Sequence, residues 1–128
     1  MEEPKQGRTI TYERTFTVEE VQQFASLSGD DQPRHVEPDD DGRVMVQGLL
    51  TATMPTKLGG DHEVLATEME FEFHQPVYTG ERVVCYATYE TVVERDDRFE
   101  LTWDVTCENE AEDVVLDAMI YGLIWKDN

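Results

Sequence analysis

The chain has 128 residues, 29 acidic and 10 basic side chains, and a formal charge of −19, a length that fits one domain and leaves no room for a second. Disordered acidic chains are poor in aromatics, whereas 5 Phe, 5 Tyr and 2 Trp are present, so a compact core under an acidic surface is expected, with residues 1–128 forming one domain. There is no basic stripe for a phosphate backbone, which excludes nucleic acid as a partner, and no apolar run approaches the roughly 18 residues of a membrane helix.

Met1-Glu2-Glu3-Pro4 lacks the basic and apolar regions of a signal peptide, so a cytoplasmic location is expected. Thr9 to Phe16 alternates Ile10, Tyr12 and Phe16 with polar neighbours and reads as a strand. Thr17 then starts a capping box with Glu20 three residues on. Val18, Val21, Phe24, Ala25 and Leu27 follow at helical spacing, and Gly29 ends the helix, predicted over 17–28. Asp30-Asp31-Gln32-Pro33-Arg34-His35 is a tight polar segment, and 36–44 reads as an acidic loop. A largely buried helix is predicted over about 47–58. Pro55 removes a backbone donor there and clashes with the carbonyl four residues back, so the helix kinks or stops at Met54.

The second half alternates like strands. Leu65 to His74 sets Thr67, Met69, Phe71 and Phe73 as a dry face against wet Glu68, Glu70 and Glu72. Strands are also predicted from Arg82 to Glu94, from Phe99 to Glu108 and from Val114 to Trp125. Short turns between them demand antiparallel pairing. The class is therefore α+β, an antiparallel sheet wrapped around a central apolar helix.

Asp30 and His35 are the strongest candidates for chemistry. Pro33 stiffens the link between them, and a carboxylate and an imidazole aimed at one point can hold a water and move its protons. The alternatives are two solvated side chains, or a His35 that only caps a nearby carbonyl. Gly48 opens the buried helix, where unpaired N–H groups stabilise an oxygen gaining charge. The alternative is a glycine that merely begins a packed helix. Cys85 and Cys107 lack CxxC spacing and read as reduced thiols. His62 and His74 have no metal-ligand spacing, so no metal is expected. Seven of the basic residues are Arg and three are Lys, and the acids are spread along the chain. Such self-repulsion is largely screened at molar salt, where the Debye length is about 3 Å. A halophilic source fits this composition, and an acidic partner-binding face is the alternative.

Phe24-Ala25-x-Leu27-Ser28-Gly29-Asp30-x-Gln32-Pro33-x-His35, with Gly48-Leu49-Leu50 opening a helix and Phe73-x-x-Pro76-Val77-x-x-Gly80-Glu81 further on, resembles the MaoC-like dehydratases, which include the (R)-specific enoyl-CoA hydratases and have the hot-dog fold. The resemblance implies reversible water addition to a trans-2-enoyl-CoA. It gives Asp30 and His35 the water, and the Gly48 N–H the thioester carbonyl. Thr56 falls where some members offer a Ser hydroxyl, and Gln32 and Gln47 are expected to meet the substrate. Gln32 stands where Asn is usual and Gln47 where His is usual, and the stretch from His35 to Gly48 is short. The resemblance further implies a homodimer and no cofactor beyond the coenzyme A carried by the substrate. Two other functions are weighed. One is a non-catalytic acyl-CoA-binding or partner subunit, which the departures favour. The other is an acyl-CoA thioesterase, disfavoured because 47–58 contains no Asp or Glu.

Overall fold

The computed structural model describes residues 3–126; Met1 and Glu2, the start of the segment read for a signal peptide, lie outside that range. Nine elements follow in chain order: β1 (Thr9–Thr15), α1 (Val18–Ser28), α2 (Pro33–Val36), α3 (Gly48–Thr51), α4 (Thr53–Asp61), β2 (Leu65–Phe73), β3 (Arg82–Glu94), β4 (Arg98–Glu108) and β5 (Val114–Trp125). The strands form one antiparallel sheet in the order β1-β3-β4-β5-β2.

Alternation along the long strands gives the sheet its inner face. Val83, Cys85, Ala87 and Tyr89 of β3 face inward with Leu101, Trp103, Val105 and Cys107 of β4, all buried. Leu50, Ala52, Met54 and Leu58 of α3 and α4 complete this core, so the sheet curls around the apolar helix in a hot-dog arrangement. Cys85 and Cys107 are register partners across β3 and β4, and both are buried free thiols. Among the described residues no helix is long and apolar enough to cross a membrane.

The central helix departs from the prediction. It neither ends at Met54 nor kinks at Pro55; it is interrupted at Ala52 (φ −65°, ψ −12°) and runs on to Asp61. Pro55 then sits in the first turn of α4, where its missing N–H costs nothing and the strain with the carbonyl four residues back is relieved upstream. In α1 the capping box forms as predicted and Gly29 adopts the left-handed conformation (φ 82°). Leu27, however, is 84% exposed. The buried stripe runs through Val21 and Ala25, and Leu27 lies two residues past it on the far side of the helix.

β2 also departs. It does not pair with β3, its successor, but crosses to the opposite edge and pairs with β5. The link from 74 to 81 makes that crossing and is itself tied down: the Val46 N–H donates to the Val77 carbonyl (2.8 Å), and Met45 bridges Tyr78. As an edge strand, β2 leaves its expected dry face open. Met69 is 39% and Phe73 53% exposed, and Leu65 is exposed as well. At the start of the pairing only glycine fits at 122, since a Cβ there would stand 2.6 Å from the Leu65 carbonyl oxygen.

Candidate active site

The end of α1 fixes where the polar segment begins. After Gly29 the chain runs through Asp30 to Gln32, and Pro33 opens the single turn of α2 at the position where a missing N–H is harmless. The segment read as polar loop thus contains a helical turn, closed by the His35 N–H on the Gln32 carbonyl (2.8 Å). That turn drives His35 inward until it is only 5% exposed. Its Nδ1 lies 2.7 Å from the Met45 carbonyl oxygen. A carbonyl only accepts, so Nδ1 carries the proton and Nε2 presents a lone pair. The capping role weighed above is therefore real, and it orients the imidazole.

Nε2 faces Asp30 Oδ2 at 3.6 Å. The other carboxylate oxygen, Oδ1, accepts a hydrogen bond from Gln32 Nε2 at 2.8 Å. The Asp30 N–H donates to Ser28 Oγ at 3.1 Å. Two acceptors thus confront each other across a gap longer than a direct hydrogen bond. A water, which can donate to both, suits such a gap.

Gly48 begins α3 and lines one cleft with His35, which Asp30 borders without lining it; the N–H groups of Gly48 and Leu49 have no acceptor among the described residues. A Cβ at 48 would stand 2.8 Å from Phe73 Cε1. The glycine therefore makes room for an aromatic ring as well as leaving the helix end open. A cleft of about 390 Å³ joins His35, Gly48 and Phe73, with Gln32 and Arg34 on its wall.

The other expected site residues are placed elsewhere. Gln47 is 2% exposed and turns away from the cleft: its Nε2 donates to the Val21 carbonyl (3.1 Å), and its Oε1 has no partner among the described residues. It ties α1 to the central helix instead of meeting a ligand. Thr56 is exposed, its hydroxyl donates to the Ala52 carbonyl (3.2 Å), and it does not line the cleft. Thr51, one turn after Gly48, lines the cleft in its stead; spacing of three along a helix was the signal that could have found it. His74 also lines the cleft, with Nε2 3.0 Å from Asp117 Oδ2. No local motif announces it, because its partner lies on another strand. Among the described residues no group of three or more His, Cys, Asp and Glu is placed to hold a metal ion.

Residues 7–118 match the family model described as FAS1-like, dehydratase domain region. No curated protein matches the chain. Among solved structures, the chain is similar to the (R)-hydratase from A. caviae involved in PHA biosynthesis: 20% identity, TM-score 0.82, covering 97% of this chain and 98% of that one. It is also similar to the MaoC-like dehydratase from Rhodospirillum rubrum, at 16% identity and TM-score 0.79, covering 98% and 95%. A third is the HadBC complex of Mycobacterium tuberculosis, a (3R)-hydroxyacyl-ACP dehydratase, at 16% identity and TM-score 0.70, covering 96% and 99%. At these identities the structural likeness speaks for the fold alone.

Proposed function

Because the chain belongs to the family of FAS1-like dehydratase domain regions, of the MaoC-like hot-dog type, we propose that it is a hydro-lyase that reversibly adds water across a trans-2-enoyl-CoA to give an (R)-3-hydroxyacyl-CoA. The observation that carries this reading is the 3.6 Å gap between His35 Nε2 and Asp30 Oδ2, with the imidazole tautomer fixed by Met45. In the addition, the water O–H bond breaks and its oxygen bonds to C3. The displaced electron pair moves through C2 onto the thioester oxygen, to which the Gly48 N–H would donate. The Asp30/His35 pair receives the proton and returns one to C2, so both atoms of the double bond gain their substituent from one face. The reverse sequence expels water.

The test is loss of the enoyl absorbance of crotonyl-CoA in molar salt. Turnover is expected, and Asp30→Asn or His35→Ala should lower it on the order of 10²–10⁴-fold. Folded protein without turnover would overturn the reading in favour of an acyl-CoA-binding or partner subunit.

The open edge of β2 supports pairing of two chains along that strand. Leu65, Met69 and Phe73 supply apolar contact, and the strand supplies unpaired backbone groups. Light scattering on a sizing column should give the mass of a homodimer; monomer alone at high salt would refute the pairing.

A further inference from the structure

The acids of this chain are spread over its surface, yet they avoid one place. Among the described residues none that lines the cleft is Asp or Glu, although 29 of the chain's 128 residues are. Four other depressions among the described residues each hold acids, among them Asp41 with Glu81 and Glu70 with Asp104. Asp30 is not among the lining residues but borders them, 3.6 Å from His35 Nε2 and hydrogen-bonded to Gln32.

The cations on the cleft wall sort by partner. His74 already has Asp117 at 3.0 Å and Glu72 at 3.9 Å. Arg34 has no carboxylate within 4 Å among the described residues, whereas Arg14, Arg43, Arg82, Arg95 and Arg98 each have one. In so acidic a chain, an arginine kept clear of carboxylates on an acid-free wall is a group reserved for an anion from outside. A guanidinium suits planar or tetrahedral oxyanions because it can donate two parallel hydrogen bonds.

We infer that Arg34 is a substrate-binding residue, and that the cleft takes a thioester bearing an anionic oxygen group which Arg34 grips. This rests on the hydro-lyase reading for its thioester. Two sources carry that chemistry: the phosphate of a coenzyme-type arm, or a carboxylate at the far end of the acyl group. Arg34 follows directly on the stiffening Pro33 and precedes His35, so the turn that seats the imidazole also aims the guanidinium.

Three thioesters, taken as two pairs, separate the sources. Crotonyl-CoA against crotonyl-pantetheine tests the phosphate, and fumaryl-pantetheine against crotonyl-pantetheine tests the carboxylate. In Arg34→Gln, KM for the anionic member of one pair should rise roughly ten- to a hundredfold, as loss of a charge-assisted contact requires. The variant's KM for crotonyl-pantetheine should stay near that of the parent, and kcat should hold. Arg82→Gln, which removes the same charge away from the cleft, should move KM less than about twofold. The inference is overturned if Arg34→Gln alters all three thioesters alike, or none, or no more than Arg82→Gln does. If the parent protein turns nothing over, the hydro-lyase reading fails, and calorimetric binding of the same three compounds still decides Arg34 by the same pattern.

Discussion

Asp30 presents two oxygens to two different neighbours, and that division of labour makes Gln32 a positioning residue. While Gln32 holds Oδ1, the remaining oxygen stays turned toward the imidazole. Gln32→Leu should therefore lower kcat about tenfold with KM little changed, as loss of one hydrogen bond to a charged group predicts; Gln32→Asn, which keeps an amide donor, should recover part of it. A fall in KM-linked binding with kcat intact would refute the role. The sequence makes Asp30 and His35 legible because proline spacing and helix capping act over a few residues. It hides the work of Gln32 and Gln47, since an amide at either position reads the same until one knows which atom it reaches. Cys107 is a further case in which place decides chemistry: hydrogen bonding with Cys85 and burial push its thiol well above the ordinary value. Neither thiol of the folded protein should react with a disulfide reagent, and both should on unfolding, as absorbance of the released thiol would record.

At the level of elements, caps and edges govern stability. The Glu20 carboxylate accepts from the Thr17 N–H at 2.9 Å and meets Arg14 at 2.6 Å. The backbone hydrogen bond from Thr17, aided by Arg14, holds its pKa below the usual 4.5. A lowered carboxylate stabilises the fold above its unfolded pKa and loses that contribution as pH falls through the lowered value. Thr17→Ala should cost about 1 kcal/mol in urea unfolding at neutral pH; Glu20→Gln, which removes the charge that the Thr17 N–H and Arg14 hold, should leave a deficit that shrinks as pH falls and the parent's Glu20 becomes protonated. Gly122→Ala should cost more, about 1–3 kcal/mol, because the neighbour in the way is the Leu65 backbone; an unchanged unfolding midpoint would contradict the close approach. Strand existence was readable from alternation, and helix α1 from its box and glycine. The partner of β2 was not, because alternation says which residues share a face and is silent on which strand lies alongside. The exposure of Phe73 follows from that pairing and from nothing local.

Over the whole molecule, the excess of 29 acids over 10 bases outweighs the surface ion pairs, which are individually weak. Raising salt from low to molar should increase the urea midpoint, and KM for crotonyl-CoA should fall over the same range while that of uncharged crotonyl-pantetheine stays flat. A midpoint that drops steadily with salt would show that the ion pairs dominate instead. Composition made this readable from the start, since net charge needs no coordinates. The ring of Phe73 adds a consequence of its own. It rests over Gly48 on the wall of the cleft and stands on the free margin of the sheet. With chains paired along that margin, one side chain belongs both to the seam and to the place of reaction. Diluting the protein until the pairs come apart should then depress turnover per chain, so that catalytic output itself reports the state of assembly.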